Sequence, residues 1–306
     1  MRVFKNLDNL PAFKNAIITI GTFDGVHIGH QKLLERINKL AKEKQGESIL
    51  LTFHPHPRFV VNPDDKSLKL LNTLDEKIAL LEKYGIDNLV VAPFSREFSQ
   101  MPAIEYVKDF LVNNFSPDTI VIGYDHHFGR NRSGNIDLLN EYQSIFNYTI
   151  EEISKETLAD IGISSTKIRH ALQEGKVSLA AQLLGHTYSL EGFVIKGKQI
   201  GRTIGFPTAN IRTEVHYKLI PKNGVYAVEV IYDNTRYKAM LNIGNRPTFE
   251  GTNKSIEVHI FDFDDIIYGE KIKVEFVKHL RDEQKFDSVD LLKNQLNQDK
   301  ISALNI

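Results

Sequence analysis

The chain has 306 residues, enough for one large domain or two ordinary ones with ample core. Its apolar content of 42% and charged content of 25% are those of a soluble globular protein, and a net charge of -1 argues against a general polyanion binder. With no cysteine, disulfides, thiolate metal sites and a cysteine nucleophile are excluded.

The N-terminal stretch "MRVFKNLDNLPAFKNAI" lacks the apolar core of a secretory signal, and no run approaches the ~18 apolar residues of a membrane span. A cytoplasmic protein is expected. The first half then alternates. Apolar runs at Ile17–Ile20, Ile49–Phe53, Leu89–Ala92 and Thr119–Gly123 are continuous, as buried parallel strands are. Between them Leu33, Leu34, Ile37, Leu40 and Ala41 fall at helical spacing. Thr73-Leu74-Asp75-Glu76 forms a capping box opening "KIALLEKYG", which should end at Gly85, and Pro102 suits the first turn of a further helix. Repeated strand–helix–strand units imply a doubly wound α/β parallel sheet.

The texture changes after Ser178–His186. From Tyr188 the chain reads as short strands rich in β-branched and aromatic residues: "YSLEGFVIKG", "GVYAVEVIY", "RYKAMLNIG", "SIEVHIFDF" and "KIKVEFVKHL". Turn material such as "PKNG" and "YDNT" separates them, so a small antiparallel barrel is expected, closed by a helix over Val289–Leu296. The boundary is placed near 175–187, giving domains 1–186 and 187–306.

Three stretches carry chemistry. "GTFDGVHIGH" (residues 21–30) joins the first strand to its helix, where doubly wound sheets bind ligands. Gly21 allows close approach to the backbone, Gly25 and Gly29 keep the turn uncrowded, and exposed amides at a helix start favour phosphate oxygens. His27 and His30 are placed to donate hydrogen bonds to charge developing on a phosphoryl group. A zinc site lacks further ligands at suitable spacing, and the glycine spacing is not that of a dinucleotide fingerprint. Further on, "ISSTKIR" (Ile163–Arg169) offers Lys167 and Arg169 to a polyphosphate. In the second half, "GKQIGRTIGFPTANI" (Gly197–Ile211) is not a Walker loop, but its glycines can expose amides to phosphates, and Thr208 and Asn210 supply hard oxygens for Mg²⁺.

"GTFDGVHIGH" together with "ISSTKIR" resembles the nucleotidyltransferase superfamily, which transfers AMP from ATP. "TFHPHPRFV" and "GYDHHFGRNRSG" resemble the flavin adenylyltransferase module of bacterial bifunctional riboflavin kinase/FAD synthetases. The "GFPTAN" block, "NGVYAV", "LNIGNRPTF", "SIEVHIFDF" and "LRDEQKF" resemble the riboflavin kinase module of the same family. The resemblance implies an enzyme that phosphorylates riboflavin to FMN and then adenylylates FMN to FAD, with ATP as co-substrate, Mg²⁺ as cofactor and no nucleic-acid or membrane partner.

Residue by residue, it makes His27 and His30 catalytic in adenylylation, with Gly21, Phe23, Asp24, Gly29, Ser164, Ser165, Thr166, Lys167 and Arg169 around ATP. Phe53, Pro55, His56, Arg58, Asp125 and Phe128 would take the flavin, while the roles of His126 and His127 stay open. In the kinase module it places Gly197, Gly201, Arg202, Gly205, Pro207, Thr208 and Asn210 around ATP, with Thr208 and Asn210 on the metal. Asn242, Arg281, Glu283 and Phe286 would contact flavin, and Glu257 would be the catalytic base. Two other readings stand beside this one: a different nucleotidyltransferase with an unrelated C-terminal module, or a non-catalytic flavin sensor.

Overall fold

The computed structural model describes all residues except 125, 154–161, 198, 249 and 250. It divides into two compact units, Met1–Leu68 with Asn72–Ser164, and Lys69–Leu71 with Ser165–Ile306.

In the first unit β1 (Arg2–Phe4), β2 (Ala16–Ile20), β3 (Ser48–His54), β4 (Asn88–Pro93), β5 (Pro117–Gly123) and β6 (Thr149–Ile153) form one sheet in the order β1-β4-β3-β2-β5-β6. Every pairing is parallel. The strands with continuous apolar runs lie inside the sheet. β2 is buried along its whole length, and its neighbours Ile17 and Ile18 point to opposite faces and enter different core clusters. Each such fully buried side chain is worth roughly 1.5–3 kcal/mol. The sequence reading missed β1 and β6, the two edge strands. Both carry exposed positions, so neither shows a continuous apolar run.

The helix Ile28–Glu43 buries Leu34, Ile37, Leu40 and Ala41, as its spacing predicts. The capping box forms: Thr73 Oγ1 accepts the Glu76 amide at 3.2 Å and Glu76 Oε2 accepts the Thr73 amide at 2.8 Å. Its helix covers Leu74–Glu82, and the chain turns through Gly85 just beyond. Pro102 precedes the turn Ala103–Glu105, which continues as a π-helical segment, Tyr106–Val112.

In the second unit β7 (Ser189–Ile195), β8 (Ala209–Arg212), β9 (Gly224–Tyr232), β10 (Thr235–Thr248), β11 (Gly251–Ile260) and β12 (Lys271–Arg281) close into an antiparallel barrel, ordered β10-β11-β8-β7-β12-β9. The short β8 begins inside the "PTAN" block and is not among the strands expected from the sequence. The C-terminal helix is longer than expected, Val289–Leu304, because its second half is the anchored one. There Asp299 and Ala303 are buried, and Ala303 joins Phe206, Ala227, Met240 and Phe261.

The units divide after Ser164, earlier than the boundary at 186 and 187 expected from texture. The helices Ser165–Gln173 and Val177–Leu184 pack with the barrel: Ser178 Oγ donates to the Val277 carbonyl and the Lys222 amide to the Leu172 carbonyl, each at 3.0 Å. Leu70 joins the same unit through a parallel bridge to Lys218, whose buried ammonium donates to the Leu71 carbonyl at 2.7 Å.

Candidate active sites

Strand order in the first unit reverses at β2, with β3 on one side and β5 on the other. The crevice beyond the carboxyl ends of β2 and β5 is therefore the expected ligand site. "GTFDGVHIGH" leaves β2 there. Its turn is unusual: Phe23, Gly25 and Val26 have φ of 47°, 89° and 41°. Only Gly25 adopts that region freely, and a β-branched Val26 there is an outlier. Such strain costs on the order of 1–3 kcal/mol per residue and collects at functional sites. The surroundings hold the turn in place. Phe23, Asp24 and Val26 are buried, Gln31 Nε2 donates to the Val26 carbonyl at 2.8 Å, and the Asn72 amide donates to Asp24 Oδ1 at 3.3 Å.

His27 caps the following helix, its Nδ1 accepting the His30 amide at 3.3 Å. That bond puts the proton of a neutral His27 on Nε2. The two imidazoles stack with centroids 3.6 Å apart, and the Phe23 ring lies 4.8 Å from His30. Gly29 makes room for the stack, since a Cβ there would lie 3.3 Å from the His27 ring. Burial, then the charges of His27 and Lys77, hold His30 well below the usual histidine range. His30 is thereby held neutral, beside a helix N-terminus with no acidic residue in its first turn. That arrangement suits a phosphoryl group gaining charge.

Lys77 was absent from the sequence reading. It is buried, and its Nζ donates to the Thr22 carbonyl at 2.7 Å.

The other expected residues of this unit divide. Phe53 ends β3 among Phe94, Phe98 and Phe110, with centroids 5.5–6.3 Å away. Pro55 follows a cis peptide, and His56 caps Pro57–Val61 by accepting the Arg58 amide. Phe128 stacks on Tyr106 at 4.9 Å and lies so close to Gly134 that a Cβ there would collide with its ring. Arg58 pairs with Asp65 at 3.1 Å. Asp125 lies outside the described residues.

"SSTKIR" opens the helix Ser165–Gln173, with Thr166 and Lys167 exposed at its start. Ser164 belongs to the first unit, and Ser165, Thr166, Lys167 and Arg169 to the second. Arg169 Nε donates to the Lys69 carbonyl at 2.8 Å, which fixes its guanidinium.

In the barrel, strand register assembles the second site. Asn242 pairs with Glu257 and Glu257 with Asn210, so three polar side chains share one face of β10, β11 and β8. Gly197 lies against the Asn210 amide so closely that a Cβ would collide with it. Gly244 does the same for Glu283, whose other oxygen accepts from Asn223 Nδ2 at 3.1 Å. His259 continues the face of Glu257, and its Nδ1 lies 2.7 Å from the Pro207 carbonyl, bracing the "PTAN" block. Beside this block is a cavity of about 320 Å³ lined by Lys196, Arg202, Pro207 and Thr208, and by Ile266 and Tyr268. The last two come from "DFDDIIYGE", whose Asp264 and Asp265 line the same cavity. Gly201 and Gly205 shape the turn before the block: Gly201 touches the Phe206 carbonyl and Gly205 has φ +85°.

Arg281 is committed elsewhere. Its guanidinium binds buried Asp299 through Nε at 2.9 Å and a terminal nitrogen at 2.7 Å, with the Phe286 ring 5.8 Å away. It anchors the C-terminal helix.

A parallel sheet with a histidine-bearing turn at its switch point, joined in one chain to a barrel with a carboxylate among amides, defines a two-site group-transfer enzyme. The FAD synthetase family model matches residues 10–167 and the riboflavin kinase model residues 184–306. A Buchnera aphidicola bifunctional riboflavin kinase/FMN adenylyltransferase is 38% identical over 98% of this chain and 96% of its own. The Listeria monocytogenes protein of the same description is 39% identical over 94% of this chain and 90% of its own. A solved Streptococcus pneumoniae structure, described as a macrolide-efflux protein, superposes with TM-score 0.88 at 32% identity over 99% of this chain and 98% of that one. Among the described residues no helix is long and apolar enough to cross a membrane. The chain belongs to the bifunctional riboflavin kinase/FMN adenylyltransferase family. The riboflavin kinase match removes support for an unrelated C-terminal module, and the shared enzyme descriptions remove it for a non-catalytic sensor.

Proposed function

We propose that residues 187–306 convert riboflavin and ATP to FMN and ADP, and that residues 1–186 convert FMN and a second ATP to FAD and pyrophosphate. The observation that carries this reading is the pairing of two different phosphate chemistries in one chain. One is a stacked pair of histidines at a sheet switch point, the other a glutamate in register with two asparagines.

In the kinase step Glu257 accepts the proton of the terminal ribityl hydroxyl as that oxygen bonds to the γ-phosphorus and the bond to ADP breaks. A positioned base contributes roughly 10²–10⁴-fold. Asn242 and Glu283, held over Gly244, orient the flavin, and Phe286 contacts it. Gly197, Gly201, Arg202, Gly205 and Pro207 shape the ATP side. Thr208 and Asn210 are a donor set that fits Mg²⁺: both offer neutral hard oxygens, and Asn210 is buried and fixed against Gly197. A bound Mg²⁺ would neutralise phosphate charge there.

In the adenylylation step an FMN phosphate oxygen bonds to the α-phosphorus of ATP and pyrophosphate leaves. His27 and His30 donate to the phosphoryl oxygens as charge builds. Gly21, Phe23, Asp24 and Gly29 form the turn that carries them, and Ser164, Ser165, Thr166, Lys167 and Arg169 serve the triphosphate. Phe53, Pro55 and His56 border the flavin. The protein works in the cytoplasm on small molecules alone, with no nucleic-acid or membrane partner.

Incubating the full chain with riboflavin, ATP and Mg²⁺ and separating the flavins by chromatography tests the reading. FMN and then FAD should appear; FMN without FAD, or neither, would overturn it.

A further inference from the structure

The strained turn that carries the histidines needs an anchor, and the fold provides one from outside the motif. Lys77 lies in the first turns of the helix Leu74–Glu82, and its side chain is 7% exposed. Its Nζ donates to the Thr22 carbonyl at 2.7 Å and approaches Thr52 Oγ1 at 3.5 Å, while Thr52 Oγ1 donates to the same carbonyl at 3.3 Å. Two donors from two elements thus converge on one carbonyl, immediately before Phe23, Gly25 and Val26, whose φ values are positive. Burying an ammonium is costly, and an apolar residue of similar volume would avoid that cost. A lysine kept in such a place has work to do.

We propose that Lys77 is a positioning residue of the adenylyl-transfer site: its ammonium ties down the Thr22 carbonyl and so fixes the left-handed turn that aims His27 and His30 into the crevice. This rests on the reading of those histidines given above. The charge has a second consequence. The titratable groups that feel Lys77 are Asp24 on the turn, His30 at the next helix and His54 at the end of β3; His30 in turn faces His27, and His54 faces Asp75. Burial pulls Lys77 down to about 8, with Asp24 opposing. Below that pH the ammonium keeps its charge, which helps hold both His30 and His54 neutral.

The test uses the full chain with Lys77→Met, Lys77→Arg and His30→Ala, each assayed separately with riboflavin and with FMN. Lys77→Met should lower kcat for FAD formation by ~10²-fold, the scale of a small misplacement of reacting groups. KM for ATP should stay within about threefold, since substrate binding itself is not what is lost. FMN formation from riboflavin should be unchanged. The acid limb of the FAD-forming pH profile should move to higher pH, because His30 loses a neighbouring positive charge. Lys77→Arg, which keeps charge and donors, should restore the limb and most of the rate. A structural role alone would not shift that limb.

Unchanged kcat in Lys77→Met would overturn the proposal, and so would a loss confined to KM for ATP, which would make Lys77 a direct phosphate contact. If His30→Ala also keeps full FAD synthesis, the reading of the site falls with it; a His30→Ala chain that has lost FAD synthesis beside a fully active Lys77→Met sinks the proposal alone. Should Lys77→Met fail to fold, Thr52→Val decides. It removes the other donor to the same carbonyl and should lower kcat several-fold at constant KM, and no effect would count against the anchor.

Discussion

The two sites are assembled in opposite ways. In the first unit the candidate site is contiguous: ten residues leave β2, pass through a left-handed turn and cap a helix with His27. In the barrel the groups come from distant parts of the chain, and only antiparallel register brings Asn210, Asn242 and Glu257 together. The first design concentrates strain in a local turn and needs external anchors. The second spreads the cost over strand pairings that exist for stability anyway. A switch-point site is therefore sensitive to residues that hold its loop, and a barrel site to residues that set its register and close its ends.

The sharpest way to break this comparison is at the barrel base. Glu257→Gln keeps shape and removes the proton acceptor, so FMN formation should fall by roughly 10²–10⁴-fold while adenylylation of supplied FMN is untouched. Steady-state assays with each flavin in turn check it. Equal loss of both activities would indicate a folding defect, and loss of neither would place the base elsewhere.

The matching change in the first unit is His27→Ala. It removes a donor and the helix cap together, and should lower FAD formation by on the order of 10²–10³ while FMN accumulates. Chromatography of the flavin products reads both at once. Unchanged FAD synthesis would mean the turn does not carry the chemistry.

A smaller effect is expected where the barrel meets its terminal helix. Asp299→Ala leaves Arg281 largely buried without its partner, and should destabilise the second unit by about 3 kcal/mol. Thermal unfolding should show the loss, with riboflavin phosphorylation normal at low temperature. A drop in kcat at unchanged stability would make Arg281 a direct participant.

The sequence was most legible where one segment carries the whole signal. Ile17–Ile20 reads as a buried strand because a central parallel strand is apolar on both faces, and Thr73 with Glu76 reads as a capping box because its spacing is fixed by one helical turn. The histidine turn was legible for the same reason. What stayed hidden depends on partners far along the chain. Lys77 looks like one more charge on an amphipathic helix until Thr22 and Thr52 are seen against it. The Phe128–Tyr106 stack and the Arg281–Asp299 pair stay hidden likewise, because each joins residues some twenty positions apart that no local spacing links. The edge strands β1 and β6 carry polar residues, so periodicity could not mark them.

The central claim is that two chemistries occupy two separate sets of residues and communicate only through FMN. Mixing the Glu257→Gln chain with the His30→Ala chain, and supplying riboflavin, ATP and Mg²⁺, tests it most directly. Neither variant alone should make appreciable FAD from riboflavin. The mixture should make it, because FMN released by the His30→Ala chain is adenylylated by the Glu257→Gln chain. A mixture as inactive as its parts, from variants that are each folded and each active in the other step, would contradict the account.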